Sequence, residues 1–229
     1  MPGRGIIYII WGNDSKVERA LQRSRQSLAA VHPELPVEVI TIEATDPVKG
    51  LLGKATMFDR SPFRETLYLD ADTIVMGRLG FAFDKAAQFG LACSICECPW
   101  ARRAAGVRGE VVEYNTGVLF FTDAAKPLFD AWARLSQQID SRITFLDQEG
   151  LISEMAYNDQ GSFAVAIDQT KFAPFILPLN WNFRPTWQRS FFGPIKIWHD
   201  YSDPTPVFAQ MARYYADPGA IIQYHAAGA

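Results

Sequence analysis

Two carboxylates, Asp70 and Asp72, stand one residue apart where the apolar, β-prone run Thr66-Leu67-Tyr68-Leu69 ends. Side chains alternate across a strand, so positions i and i+2 can project to one side. Apolar residues resume at Ile74-Val75, which implies burial on both flanks. Burying two neighbouring anions is costly unless a cation joins them. Hard oxygen donors of this kind suit Mg²⁺ or Mn²⁺, with coordination positions left open for phosphate oxygens. Solvated carboxylates at a strand end are the alternative, since Asp is common in turns, but the apolar flanks argue against it.

The elements that must hold such a pair alternate between strand-like and helix-like segments through the first half of the chain. That alternation is the signature of βαβ units on a mainly parallel sheet. Gly5–Ile10 and Val37–Ile42 read as strands. Between them Ser15-x-x-Glu18 reads as a capping box, followed by Val17, Leu21, Ser24 and Leu28 at helical spacing. A helix near Leu51 to Phe58, stopped by Ser61-Pro62, leads into the strand that ends at Asp70. Beyond it the pattern predicts a helix over Phe81–Phe89, strands over Leu91–Ile95 and Glu113–Phe121, and a helix from Asp123 to about Ile139. The stretch from Glu97 to about Val111 reads as a long loop of the kind that serves as a lid or binding segment. A further helix is expected from Asp147 to Tyr157, then short strands at Phe163–Ile167, Phe175–Leu179 and Ile195–Trp198.

At 229 residues the chain suits one sizeable α/β domain. A formal charge of −3 leaves no basic surplus for neutralising nucleic-acid phosphates. No apolar run reaches the roughly 18 residues of a membrane span, and the N-terminal apolar segment is too short for a secretory signal. A cytoplasmic location is expected, with peripheral membrane association still open. Cys93, Cys96 and Cys98 are an odd number within six positions, which suits reduced thiols. Their spacing lacks the fourth ligand that a zinc site needs, so thiols buried on or after a strand are expected instead.

Four separated segments together resemble the nucleotide-sugar glycosyltransferases of the GT-A fold, closest to glycosyltransferase family 8. They are Leu67-Tyr68-Leu69-Asp70-Ala71-Asp72, Tyr114-Asn115-Thr116-Gly117-Val118-Leu119, Leu146-Asp147-Gln148-Glu149 and Ile197-Trp198-His199. The resemblance implies an α/β fold with a Rossmann-like mixed sheet flanked by helices, as a single GT-A domain over 1–229. Its nucleotide-binding half would span about 1–122 and its acceptor and metal-completing half about 123–229. It implies transfer of a hexose, with retention, from a nucleotide-diphosphate sugar (usually UDP-linked) to a saccharide or other hydroxyl acceptor. A Mn²⁺ or Mg²⁺ ion would bridge the diphosphate, held by Asp70, Asp72 and a histidine near the C-terminus. An imidazole ligand leans that choice toward Mn²⁺. Both His199 and His225 are candidates, the latter because His225-Ala226-Ala227-Gly228 matches the family's H-x-x-G. The Lys-Pro-Trp that usually follows is absent here, and Lys54 is the candidate for the positive charge that steadies the donor phosphates.

The remaining expected contacts follow the same alignment of motifs. Trp11, Gly12 and Asn13 would meet the nucleotide, with Gly12 permitting close backbone approach and Trp11 packing on the base. Ala71 belongs to the same donor-binding stretch. Asn115, Asp147 and Gln148 would lie at the donor sugar, although Asp147 equally suits a helix N-cap. Trp181, Asn182 and Arg184 resemble the acceptor side. Two other functions remain open on sequence. In a haloacid-dehalogenase-type phosphohydrolase, Asp70-Ala71-Asp72-Thr73 would supply a nucleophile and an acid/base, but two strand–helix units precede the motif and the downstream acidic pair is missing. A sugar-nucleotide-binding module without turnover is the other, separable by a donor-hydrolysis assay.

Overall fold

The structure, a computed structural model, describes residues 3–44, 46–96, 110–146, 151–155, 157–188, 190–206 and 223–225. Along the chain the elements are β1 (Arg4–Trp11), α1 (Ser15–Val31), β2 (Val37–Ile42), α2 (Pro47–Lys54), α3 (Met57–Arg60), β3 (Glu65–Leu69) and β4 (Thr73–Val75). They continue as α4 (Gly80–Phe89), β5 (Leu91–Ile95), β6 (Tyr114–Thr122), α5 (Lys126–Ser136), β7 (Ile143–Leu146), β8 (Ile152–Met155) and α6 (Asp159–Thr170). β9 (Phe175–Leu177), β10 (Ser190–Phe192), β11 (Ile197–His199) and β12 (Gln223–His225) complete them.

Six strands form a mixed sheet in the order β2-β1-β3-β6-β5-β9. β1 runs parallel to β2 and β3, whereas β6 is antiparallel to both β3 and β5. The alternation of side chains divides the core into two layers. Ile7 and Ile9 of β1, Tyr68 of β3 and Leu119 and Phe121 of β6 face one layer, closed by Met57, Phe129, Trp132 and Phe163. Ile6 and Tyr8, Leu67 and Leu69, and Val118 and Phe120 face the other, closed by Leu21 and Leu28 of α1 and Phe83 of α4. With helices on both faces, the strands near the sheet's centre are apolar on both sides, as their near-continuous hydrophobic runs require.

The first two crossovers, from β1 to β2 and from β2 to β3, set the position of the site. α1 leads to β2 across one layer, while α2 and α3 lead to β3 across the other. The connections that leave the carboxyl ends of β1 and of its neighbour β2 therefore pass over opposite faces of the sheet, and a crevice opens at the carboxyl end of β1 between them. Ligands on open α/β sheets bind at such a switch point. Among the described residues no helix is long and apolar enough to cross a membrane.

Several segments differ from expectation. The N-cap of α1 is Asp14, whose carboxylate accepts from the Lys16 backbone N–H, rather than Ser15. The predicted helix from Leu51 to Phe58 is two helices, because α2 begins at Pro47 under an Asp46 cap and ends before Ala55. Within the predicted helix over Asp147–Tyr157, Ile152–Met155 instead form β8, which runs antiparallel to β7 and pairs Ile143 with Met155 and Leu146 with Ile152. The predicted strand at Phe163–Ile167 lies inside α6. That helix is buried on nearly every face from Asp159 to Ile167, so it carries no amphipathic period, and an apolar run alone cannot separate a buried helix from a strand. The Cys93 thiol is buried on β5, and burial pushes it above the usual thiol range. Most of the expected long loop (97–109), Cys98, and Asp147 and Gln148 lie outside the described residues.

Candidate metal and donor site

β3 ends at Leu69, and the turn beyond it is tied to β6 by the Asp70 backbone N–H, which donates to the Gly117 carbonyl at 2.8 Å. Thr73 closes the turn through its backbone N–H and hydroxyl, both donated to the Asp70 carbonyl. β4 then pairs antiparallel with β11, setting His199 opposite Thr73. This ladder brings together side chains more than a hundred residues apart in sequence. One potential ligand atom from each of Asp70, Asp72 and His199 lies within 4.8 Å of the other two. His199 Nε2 is 3.3 Å from Asp72 Oδ1 and 3.7 Å from Asp70 Oδ2. The backbone of His225, on β12, pairs with Ser190.

Lys54 lies directly behind this group and is only 3% exposed. Its ammonium reaches Asp70 Oδ1 at 3.0 Å, Asp159 Oδ2 at 3.1 Å and the Thr116 hydroxyl at 3.2 Å. Burial opposes that charge, but Asp159 and Asp70 outweigh burial and hold the ammonium above the ordinary lysine range. The Tyr68 hydroxyl donates to Asp70 Oδ1, and burial together with Asp70 raises that phenol well above its usual range. Burial works to raise the Asp72 carboxyl as well. The His199 charge overcomes it and brings the carboxyl down to about 2. Asp70, Asp72 and Asp159 set three carboxylates against one lysine, a formal excess of two acids over bases before the imidazole is counted. A divalent cation matches that excess, and a donor set of two carboxylates and an imidazole fits Mn²⁺ better than Mg²⁺.

Asp159 and Gln160 are functional candidates that sequence reasoning missed. Asn158 caps α6 by accepting from the Gln160 N–H, and the Trp132 indole of α5 donates to the Asp159 carbonyl at 3.3 Å and the Ser162 hydroxyl at 3.1 Å. The first turn of α6 is thereby fixed against α5. Thr116 donates to Asp159 Oδ2, and the Asn115 amide donates to Gln160 Oε1 at 2.9 Å. The signal was available, since Asn158 is a strong N-cap residue and Asp159-Gln160 is the second D-Q pair in the sequence.

A cavity of about 670 Å³ opens beside the acidic pair, lined by Trp11, Gly12, Lys54, Asp70, Asp72 and His199 among others. Ala71 also lines it, as do Asp14, Asp46 and Tyr201. Asn13 is exposed and is not part of this wall; Asp14 takes that place. Gly12 turns the chain at φ +67°, a conformation that favours glycine. The Trp11 ring lies so close to Gly50 of α2 that a Cβ there would fall 2.2 Å from it, so the indole is a fixed wall. Gly117 is equally constrained, with a Cβ position 2.3 Å from His199 Cε1 and 2.6 Å from Asp70 Oδ2.

On the expected acceptor side, Trp181 is buried in the core against Phe81 and Phe120. Asn182 is buried and bonded to both Asn115 and His199. Arg184 stacks over Trp187 and points Nη1 at Cys96 Sγ at 3.8 Å.

Among solved structures the chain is similar to mouse xyloside xylosyltransferase 1 in its apo form, with TM-score 0.58, 13% identity, and 88% of this chain and 100% of that one covered. It is similar to the galactosyltransferase LgtC in complex with donor and acceptor sugar analogs, at TM-score 0.54 and 13% identity over 93% of this chain and 94% of that one. A glycosyltransferase involved in glycosylation of the major capsid of PBCV-1 gives TM-score 0.53 and 11% identity, over 93% and 99%. The fold is GT-A. No protein-family model matches the sequence, and no curated protein matches it.

Proposed function

We propose that this chain is a metal-dependent glycosyltransferase, of the family 8 kind, moving a hexose from a UDP-sugar to a hydroxyl acceptor. The observation that carries the reading is the convergence of Asp70, Asp72 and His199 on the wall of a large cavity at the switch point of a GT-A sheet. The divalent ion, when bound, would offset charge on the departing diphosphate. Asp70 and Asp72 would hold it through oxygen and His199 through Nε2. Trp11 and Gly12 would form the floor under the nucleotide.

Lys54 bridges Asp70 and Asp159 through its ammonium and holds both carboxylates in place. Asp159 accepts from both Lys54 and Thr116, which reduces its strength as a nucleophile. That supports attack by the acceptor on the same face as the leaving diphosphate, whose own oxygen takes the acceptor proton, and so retention. The GT-A architecture favours this reading over a phosphohydrolase with Asp70 as nucleophile.

Thermal shifts with a panel of nucleotide-sugars, each with and without Mn²⁺, test the proposal. A donor at a hundred times its dissociation constant stabilises by about 2.7 kcal/mol, or roughly 5–10 °C at this chain length. Release of free sugar from the stabilising donor then separates an enzyme from a binding module. No Mn²⁺-dependent shift with any donor would sink it.

A further inference from the structure

Four buried side chains, Gln160, Asn115, Asn182 and His199, form an unbroken line of hydrogen bonds behind the acidic pair. Asn115 Nδ2 donates to Gln160 Oε1 at 2.9 Å, Asn182 Nδ2 donates to Asn115 Oδ1 at 2.8 Å, and Asn182 Oδ1 lies 2.7 Å from His199 Nδ1. All four are at least nine-tenths buried, Asn182 being 2% exposed and His199 7%. An amide could in principle point either way, but one backbone group removes the choice. The Gly117 N–H donates to Asn115 Oδ1 at 3.0 Å, and a backbone N–H can only donate.

The consequences pass along the line in both directions. With its oxygen held at Gly117, Asn115 must present Nδ2 to Gln160, which must accept through Oε1. The same oxygen requires Nδ2 from Asn182, so Asn182 must turn Oδ1 toward His199. An acceptor at that place requires a proton on Nδ1. A neutral His199 then has its lone pair on Nε2, opposite Asp72 Oδ1 at 3.3 Å and Asp70 Oδ2 at 3.7 Å. Without a cation these acceptors meet too, but at longer range than the 2.7 Å that separates Nδ1 from Asn182 Oδ1, so the closer contact takes the proton. Reversing any one member would set two donors or two acceptors face to face in a buried place, a costly arrangement.

We propose that the Gly117 N–H fixes the polarity of this relay, and that Asn115 and Asn182 are positioning residues that hold His199 as the Nδ1–H tautomer with Nε2 free for a metal ion. The metal end of the inference rests on the functional reading above, whereas the tautomer does not. Long-range ¹⁵N NMR of the full chain without added metal, at a pH where the imidazole is neutral, reads the tautomer directly, and loss of the signal in His199→Gln assigns it. A protonated Nδ1 and a bare Nε2 are expected. Nε2–H as the main form overturns the relay, whether or not the chain binds Mn²⁺.

Two variants extend the test. Asn182→Leu removes the acceptor, so the Nδ1–H form loses its dominance and Mn²⁺ affinity by calorimetry falls 10- to 100-fold, the usual effect of losing such a partner. Asn182→Asp still offers oxygen to Nδ1 and retains the tautomer, at a cost in melting temperature because its second oxygen then meets Asn115 Oδ1, which also accepts. An Asn182→Leu protein that keeps both the Nδ1–H form and its Mn²⁺ affinity refutes the positioning role.

Discussion

The sharpest perturbation of this site is a single methyl group at Gly117. Its Cβ would lie 2.3 Å from His199 Cε1, 2.6 Å from Asp70 Oδ2 and 3.0 Å from Asn115 Oδ1. Carbon atoms in ordinary contact lie about 3.5–4.0 Å apart, so the imidazole must retreat by roughly 1 Å or more, or β6 must move. Neither yields readily. The ring is held by Asn182 and by the β4–β11 pairing, and the Gly117 carbonyl is fixed by the Asp70 N–H. Overpacking of this kind costs about 1–3 kcal/mol, which for a chain of this length is a fall of roughly 2–12 °C in melting temperature. Ligand distances tolerate only about 0.2 Å, so Gly117→Ala displaces two of the three metal-ligand candidates beyond use. Melting in chelator reads the stability term, and Mn²⁺ calorimetry on the folded variant reads the ligand term, expected to be a loss of at least about tenfold, or 1.4 kcal/mol. Gly80→Ala is the control, because nothing lies within 4 Å of its Cβ position and the same substitution in an open helix stabilises by about 0.4–1 kcal/mol. Gly117→Ala with unchanged melting and Mn²⁺ affinity within twofold of the parent would show that the crowding argument is wrong.

Lys54→Met leaves the buried Asp159 and the partly exposed Asp70 without their shared cation, and should destabilise by about 3 kcal/mol, the low end for breaking a buried pair; a urea midpoint equal to the parent's would contradict the electrostatic account. Gly50→Ala drives the Trp11 ring from its seat against α2, so UDP affinity should fall while Mn²⁺ affinity holds, and retention of UDP affinity would remove Trp11 from the nucleotide floor. Alkaline stability tests Tyr8, whose phenol burial pushes up to about 12. A raised phenol contributes stability that is complete below its unfolded value near pH 10 and is lost as pH climbs toward 12, about 2.7 kcal/mol for two units. Tyr8→Phe should therefore lose less stability than the parent between pH 9 and 11, measured by urea unfolding, after an initial deficit of about 1 kcal/mol from the lost bond to Ser24. Equal alkaline losses in both proteins would mean that Tyr8 does not carry that slope.

The sheet's parallel start was legible because β1, β2 and β3 are short apolar runs separated by caps and prolines, and local rules suffice for such patterns. The Asp70–Asp72 pair was visible for a similar reason: two charges interrupting an apolar strand are a local anomaly. Asp159 and Gln160 were not visible, because reading Phe163–Ile167 as a strand erased the helix whose first turn carries them. The missing information was tertiary. α6 packs against α5 and β6, so from Asp159 to Ile167 nearly every face is buried and the helical period vanishes. Asn182 was placed with the acceptor on its company of Trp181 and Arg184, yet its bonds run to Asn115, 67 positions earlier, and to His199, 17 positions later. No spacing rule links residues that meet only because β6 runs against β3 and β11 against β4, with Phe183 bridged to Trp198.

That reversal explains why the site needs amides at its back. A parallel neighbour beside β3 would bring its carboxyl end to Asp70; antiparallel β6 instead brings its amino-terminal half, with Asn115, Thr116 and Gly117. Three carboxylates already share one lysine there, so another acid at position 115 or 182 would deepen a charge deficit that burial makes expensive. An apolar residue would strand the Gly117 N–H and His199 Nδ1. An amide satisfies both demands, since it can accept at one atom and donate at the other without adding charge. The same logic makes position 117 glycine: the N–H that orients the relay must approach Asn115 closely while His199 and Asp70 occupy the space where a side chain would stand.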